Sequence, residues 1–115
     1  MSINDKVGVL DITTEPPKPF TEILGNHMVS YEKPRGITTT LNIEHKVDEV
    51  IRASRKLKES GSRVIALACT GFSTVGVAPL IQRVIDVPVI DPVVASAIVM
   101  YHELKLRYEY EVLFR

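Results

Sequence analysis

Apolar residues recur along this chain in two rhythms, short continuous runs and a helical spacing, and their succession predicts alternating strands and helices. Residues 6–11 (Lys6, Val7, Gly8, Val9, Leu10, Asp11) read as a short buried strand that ends in an acid. A loop with Pro16, Pro17 and Pro19 follows. Residues 20–24 then make a brief helix whose first turn tolerates proline, and Gly25 and Asn26 stop it. Residues 28–32 are a candidate second strand. The stretch with Pro34, Arg35 and Gly36 and the run Thr38, Thr39, Thr40 read as an ordered loop near the sheet edge. Strand propensity and loop chemistry compete across residues 28–41.

The next helix is marked by Asn42 as a candidate N-cap, by Val47, Val50, Ile51, Ser54 and Leu57 at helical spacing, and by Gly61 just past its end. Lys and Arg crowd its last turns, where they suit the helix dipole on a solvated face. Residues 63–69 are a continuous apolar strand, as in a sheet covered on both faces. Residues 87–91 repeat that style and again end in an acid. Pro79 cannot sit deep in a helix, so a helix is expected to start near it, with residues 70–78 as a loop or irregular turn. From Pro92 a long helix is predicted to at least about Leu106. Beyond it the pattern is ambiguous: Tyr108, Tyr110 and Val112 alternate with Glu109 and Glu111 as in an edge strand, yet Leu104, Tyr108 and Val112 keep helical spacing.

This order predicts a single α/β domain over residues 1–115, a three-layer α/β/α arrangement with a four-stranded parallel sheet and right-handed crossovers. Parallel pairing gathers the carboxyl ends of the strands on one rim, where ligands bind in such sheets. That rim would hold Asp11 with Thr13 and Thr14, Cys69 with Thr70, Gly71, Ser73 and Thr74, and Asp91.

Composition narrows the partners. Hydrophobic residues make up 45% of the chain and charged residues 24%, the balance of a soluble globular domain. Fourteen basic and fourteen acidic residues cancel, so no overall field recommends nucleic acid or a membrane surface. One cysteine cannot form an internal disulfide, and the N-terminus shows no signal pattern; both point to the cytoplasm. The apolar run over residues 87–101 is interrupted by Asp91 and two prolines and is too short to span a bilayer. His27, His45 and His102 lack ligand spacing, so no metal is expected, and the glycines form no phosphate-binding fingerprint. The terminal helix is apolar around more of its circumference than one small sheet can cover, which predicts a homo-oligomer.

Cys69 carries the candidate chemistry. Most free cysteines are small, buried and inert. Apolar packing, however, does not require Thr70, Gly71, Ser73 and Thr74 after it, residues whose amides and hydroxyls can hold an anion beside the sulfur. Asp11 and Asp91 each have the plainer reading of a cap for the turn or helix that follows.

The run Leu67, Ala68, Cys69, Thr70, Gly71, Phe72, followed after a helix by Val87, Pro88, Val89, Ile90, Asp91, Pro92, Val93 and by Ala95, resembles the second cysteine motif and terminal helix of the aspartate, glutamate and hydantoin racemase superfamily. Val7 to Asp11 is similar to the opening strand of those proteins. The resemblance implies two similar lobes, each offering one cysteine; one thiolate takes the substrate's α-proton and the other thiol returns one from the opposite face. Sister decarboxylases and isomerases rely on a single cysteine. This chain has about half the usual length and one thiol, and Gly71 and Phe72 stand where an acid or His often follows the motif. The resemblance thus implies a cofactor-independent racemase, isomerase or decarboxylase of a small carboxylate or cyclic amide, its site completed by dimerisation. Thr70, Ser73 and Thr74 would hold the carboxylate and Asp11 would orient an amine. The alternative is a non-catalytic protein of the same fold that binds a small anion or regulates a partner.

Overall fold

The computed structural model describes residues 6–113. In chain order they form β1 (Val7–Leu10), α1 (Lys18–Leu24), β2 (Met28–Glu32), α2 (Val47–Glu59), β3 (Val64–Leu67), α3 (Gly71–Val75), α4 (Val77–Ile85), β4 (Val89–Ile90) and α5 (Pro92–Leu113). Short 3-10 turns cover Gly25–His27 and Thr40–His45. The four strands pair in parallel in the order β2-β1-β3-β4. Flanking helices complete the three-layer arrangement.

Alternation along the strands assigns their faces. Leu10, Ile65 and Leu67 are buried in the main core with Val50, Leu57, Phe72, Ile81 and Ile85, so α2 and α4 cover that face. Gly8 lies on that face and lets α2 and the turn after it approach closely: a Cβ at this position would lie 2.9 Å from Ser62 Cβ in the turn and 3.2 Å from Leu57 Cβ in the helix. Val7, Val64, Ala66 and Ile90 face the other way. There α1, with Phe20, Ile23 and Leu24, forms the far wall of an apolar groove of about 320 Å³.

Several boundaries differ from those the sequence predicts. Asn42 does not cap α2. It is the third residue of the 3-10 turn, where its side chain accepts from the Thr39 amide in a reciprocal capping box. The long helix begins only after Lys46. Residues 70–78 are not a loop, since α3 occupies most of them and ends at Gly76, whose φ of 76° starts α4 directly. Pro79 is the third residue of α4, within the first turn, where the amide it lacks has no intrahelical partner anyway. The last strand shrinks to two residues, and α5 continues through Leu113, which resolves the terminal ambiguity in favour of helix.

The long helix leaves the body of the domain. Every described side chain of α5 beyond Ala95 is exposed. The radius of gyration is accordingly 16.1 Å, against about 13–14 Å for a compact chain of this size.

Candidate functional site

Cys69 lies two residues beyond β3, half-buried against the core at the carboxyl edge of the sheet. The strand is held there by its partners: Leu10 pairs with Leu67 across β1, and the Ala68 amide donates to the Leu10 carbonyl at 2.9 Å. The chain then turns at once into α3. The amides of Phe72, Ser73 and Thr74 are consumed by that turn, donating to the carbonyls of Cys69 and Thr70. Those of Thr70 and Gly71 come too early in the turn to find an acceptor among the described residues, as expected for the start of a helix.

The hydroxyls after the cysteine are largely engaged within the chain. Ser73 Oγ donates to Asp91 Oδ1. Thr74 Oγ1 reaches the Thr70 carbonyl at 3.4 Å, while the exposed Thr70 side chain has no such contact among the described residues. Asp91 in turn caps α5, its Oδ1 accepting from the amides of Val93 at 2.9 Å and Val94 at 3.2 Å. The Ser73 hydrogen bond, assisted by these amides against a desolvation that works the other way, holds the Asp91 carboxyl below its ordinary range. The plainer reading of Asp91 as a helix cap therefore describes its contacts.

Asp11 is nearly fully buried at the end of β1 and is also enclosed by its own loop. Its carboxylate accepts from the Ile12 amide at 2.7 Å, the Thr13 hydroxyl at 2.9 Å and the Tyr31 hydroxyl at 3.2 Å. Tyr31 was not evident as a member of this cluster from sequence. It arrives because parallel pairing sets it opposite Val9, and its hydroxyl also lies within reach of the Thr13 and Glu15 carbonyls, at 2.7 Å and 3.0 Å. Burial first, then the neighbouring Asp11 charge, push the Tyr31 phenol above its usual value. Thr14 is exposed in the same loop. The rim thus gathers three strand ends, but two of its acids and one serine are already hydrogen-bonded to one another or to the backbone. Among the described residues, no three His, Cys, Asp or Glu side chains gather as metal ligands, and no helix is long and apolar enough to cross a membrane.

A comparison with protein families matches residues 20–99 to the family described as Asp/Glu/Hydantoin racemase, and the chain belongs to that family. The matched stretch includes Cys69 and Asp91 and begins after Asp11, Thr13 and Thr14. No curated protein matches the chain.

Proposed function

We propose that this member of the Asp/Glu/hydantoin racemase family moves a proton at the α-carbon of a small carboxylate or a related cyclic amide without a cofactor, with Cys69 as the residue that takes it. The observation that supports this reading is the place of the thiol: at the carboxyl edge of a parallel sheet, in a turn where the Thr70 and Gly71 amides, without an acceptor among the described residues, can donate to an anion.

In the forward step the Cys69 thiolate removes the α-proton and becomes a thiol. The electron pair left on carbon delocalises into the adjacent carbonyl, where turn amides offset the developing enolate charge. Inversion then needs a second thiol on the opposite face to give up its proton to that carbon. The chain has only one cysteine, so a second copy would supply it, each Cys69 taking the role of the partner's missing base in turn. Asp91, fixed as a cap, acts here by holding Ser73 and the turn in place. Asp11 and Tyr31 shape the neighbouring loop, with Thr13 and Thr14 at its surface as contacts for the rest of the substrate.

The test is exchange of the α-proton in deuterated water across a panel of amino acids, hydantoins and substituted malonates, comparing wild type with Cys69→Ser. Deuterium incorporation that disappears in the variant supports the reading. A second reading, a non-catalytic binder of small anions, is favoured by the single thiol and by the inward engagement of Asp11 and Ser73. Carboxylate binding by wild type without any exchange would establish it instead.

A further inference from the structure

The segment between β1 and α1 is held by side chains rather than by its own backbone. Residues 12–16 make no backbone–backbone hydrogen bond among the described residues, and Thr13, Thr14 and Glu15 are exposed. Segments without such bonds are ordinarily the mobile ones. Here two hydroxyls replace them. Tyr31 Oη reaches the carbonyls of Thr13 at 2.7 Å and Glu15 at 3.0 Å, and the Asp11 carboxylate at 3.2 Å. The Thr13 hydroxyl adds contacts to Asp11 and to the Glu15 carbonyl, both at 2.9 Å.

The phenol is fixed from below, since Tyr31 belongs to β2 and pairs with Val9 of β1. It has one proton to share among three acceptors, and the Thr13 carbonyl is the nearest of them. Planarity carries the effect across the next bond. In a trans peptide the carbonyl and the following N–H point in opposite directions, so drawing the Thr13 carbonyl toward Tyr31 turns the Thr14 amide away from it. That amide has no acceptor among the described residues. The Glu15 carbonyl, also drawn inward, is followed by Pro16, which has no amide to present. The turns that carry Thr14 and Cys69 follow neighbouring strands about 4.8 Å apart. The Thr14 amide thus stands at the same rim as those of Thr70 and Gly71.

We infer that Tyr31 is a positioning residue: its hydroxyl fixes the peptide between Thr13 and Thr14 so that the Thr14 amide donates to a second acceptor group of the substrate, one that the Thr70 and Gly71 amides do not hold. The inference rests on the reading of Cys69 as the base. Tyr31 itself touches no reacting atom. Its hydroxyl contributes to binding by holding a donor in place before the substrate arrives, so that the cost of ordering the loop is not met at the moment of binding. Loss of the hydroxyl therefore weakens binding and leaves the proton transfer at Cys69 as it was.

The experiment compares the whole wild-type chain with Tyr31→Phe, which keeps the ring and removes only the hydroxyl. Order parameters of the Thr13, Thr14 and Glu15 amides, measured by nuclear magnetic resonance, should fall from about 0.85 to below about 0.6 in the variant while those of β1 and β2 hold. Malonate should shift the Thr14 amide resonance of the wild type together with those of Thr70 and Gly71. Its affinity should fall about fivefold in Tyr31→Phe, and that of acetate, which has one carboxylate, by less than about twofold. For any substrate whose α-proton exchanges, KM should rise by the same factor as the malonate loss with kcat unchanged. Unchanged order parameters, or malonate that shifts Thr70 and Gly71 without Thr14, overturns the inference and leaves the Cys69 reading standing. A kcat that falls while KM holds also overturns it, because Tyr31 would then act on the reaction itself. Malonate that shifts none of the three amides overturns it too, and the Cys69 reading is then decided separately by whether exchange is lost in Cys69→Ser.

Discussion

Ser73 donates its hydroxyl to Asp91, and through this one contact the turn that carries Cys69 is tied to the first turn of α5. The turn that follows the candidate base and the first turn of the exposed helix therefore share a carboxylate. Disturbing either should be felt at both places.

Asp91→Ala removes the cap of α5 and leaves the Ser73 hydroxyl without its acceptor; the expected cost is about 1 kcal/mol of unfolding free energy, measured by urea denaturation. Asp91→Asn keeps a capping oxygen and should cost less. Any activity of the Cys69 turn should fall in both, more in Asp91→Ala, while Ser96→Ala, one turn further along, leaves it unchanged.

The pH dependence of the same carboxyl has a definite sign. Its pKa is lower in the folded than in the unfolded chain, so it contributes stability that is fully present above the ordinary carboxylate value and is lost as the pH falls through the folded value. Stability measured from neutral pH down into the acid range should therefore fall less steeply in Asp91→Asn than in wild type below about pH 4.

Tyr31 behaves in the opposite range. Its phenol is raised above the usual 10.0, so the folded chain keeps it neutral where the unfolded chain ionises it. The stability it contributes is complete below pH 10 and is lost as the pH rises through the folded value. Tyr31→Phe should flatten that alkaline loss, and the difference in phenolate absorbance between the two proteins should show a group titrating above pH 10.

Cys69 should be alkylated by iodoacetamide in the native protein, since the thiol is half-buried at the rim rather than sealed in the core. A small carboxylate bound at the turn should slow the reaction. Reaction only at the rate of global unfolding would remove the thiol from the proposed chemistry.

Gly8→Ala should destabilise the chain by about 1–3 kcal/mol, because the new methyl group meets Ser62 and the Cβ of Leu57 in a packed interface. Combining it with Ser62→Gly should recover part of the loss, a non-additivity read from a double-mutant cycle. Ser62→Ala alone should be neutral or stabilising, since the Ser62 hydroxyl is buried without a hydrogen-bond partner among the described residues.

Much of this molecule was legible in its residues. The span of β2, the placing of β1 and β3, the parallel pairing and the place of Cys69 at the carboxyl edge follow from local signals, apolar runs that need burial, glycines at φ of 52° and 98° after α1 and α2, and short crossovers, although β3 ends at Leu67 and leaves Cys69 two residues past the strand expected to include it. The helical residues between 71 and 78 escaped because Gly71, Ser73, Thr74 and Gly76 have turn-like propensities; Phe72 and Val77, buried in the core, hold them helical. Asn42 has the chemistry of a cap, but which turn it caps depends on Ile43, drawn into the core ahead of α2.

The candidate site divides in the same way. Which strand ends meet at one rim follows from the order of elements, a property of the chain alone. Whether an acid or hydroxyl there is free depends on neighbours from distant segments: Tyr31, twenty residues from Asp11, and Asp91, eighteen from Ser73, are brought into reach only by the sheet. Hydrogen bonds of that kind carry no signature in local sequence, because each hydroxyl has many acceptors available until the fold brings a few distant ones within reach. The exposure of α5 belongs to the same class. Its apolar composition was evident from the residues, but that it runs clear of its own sheet, starting from the cap at Asp91, was decided only in the tertiary structure.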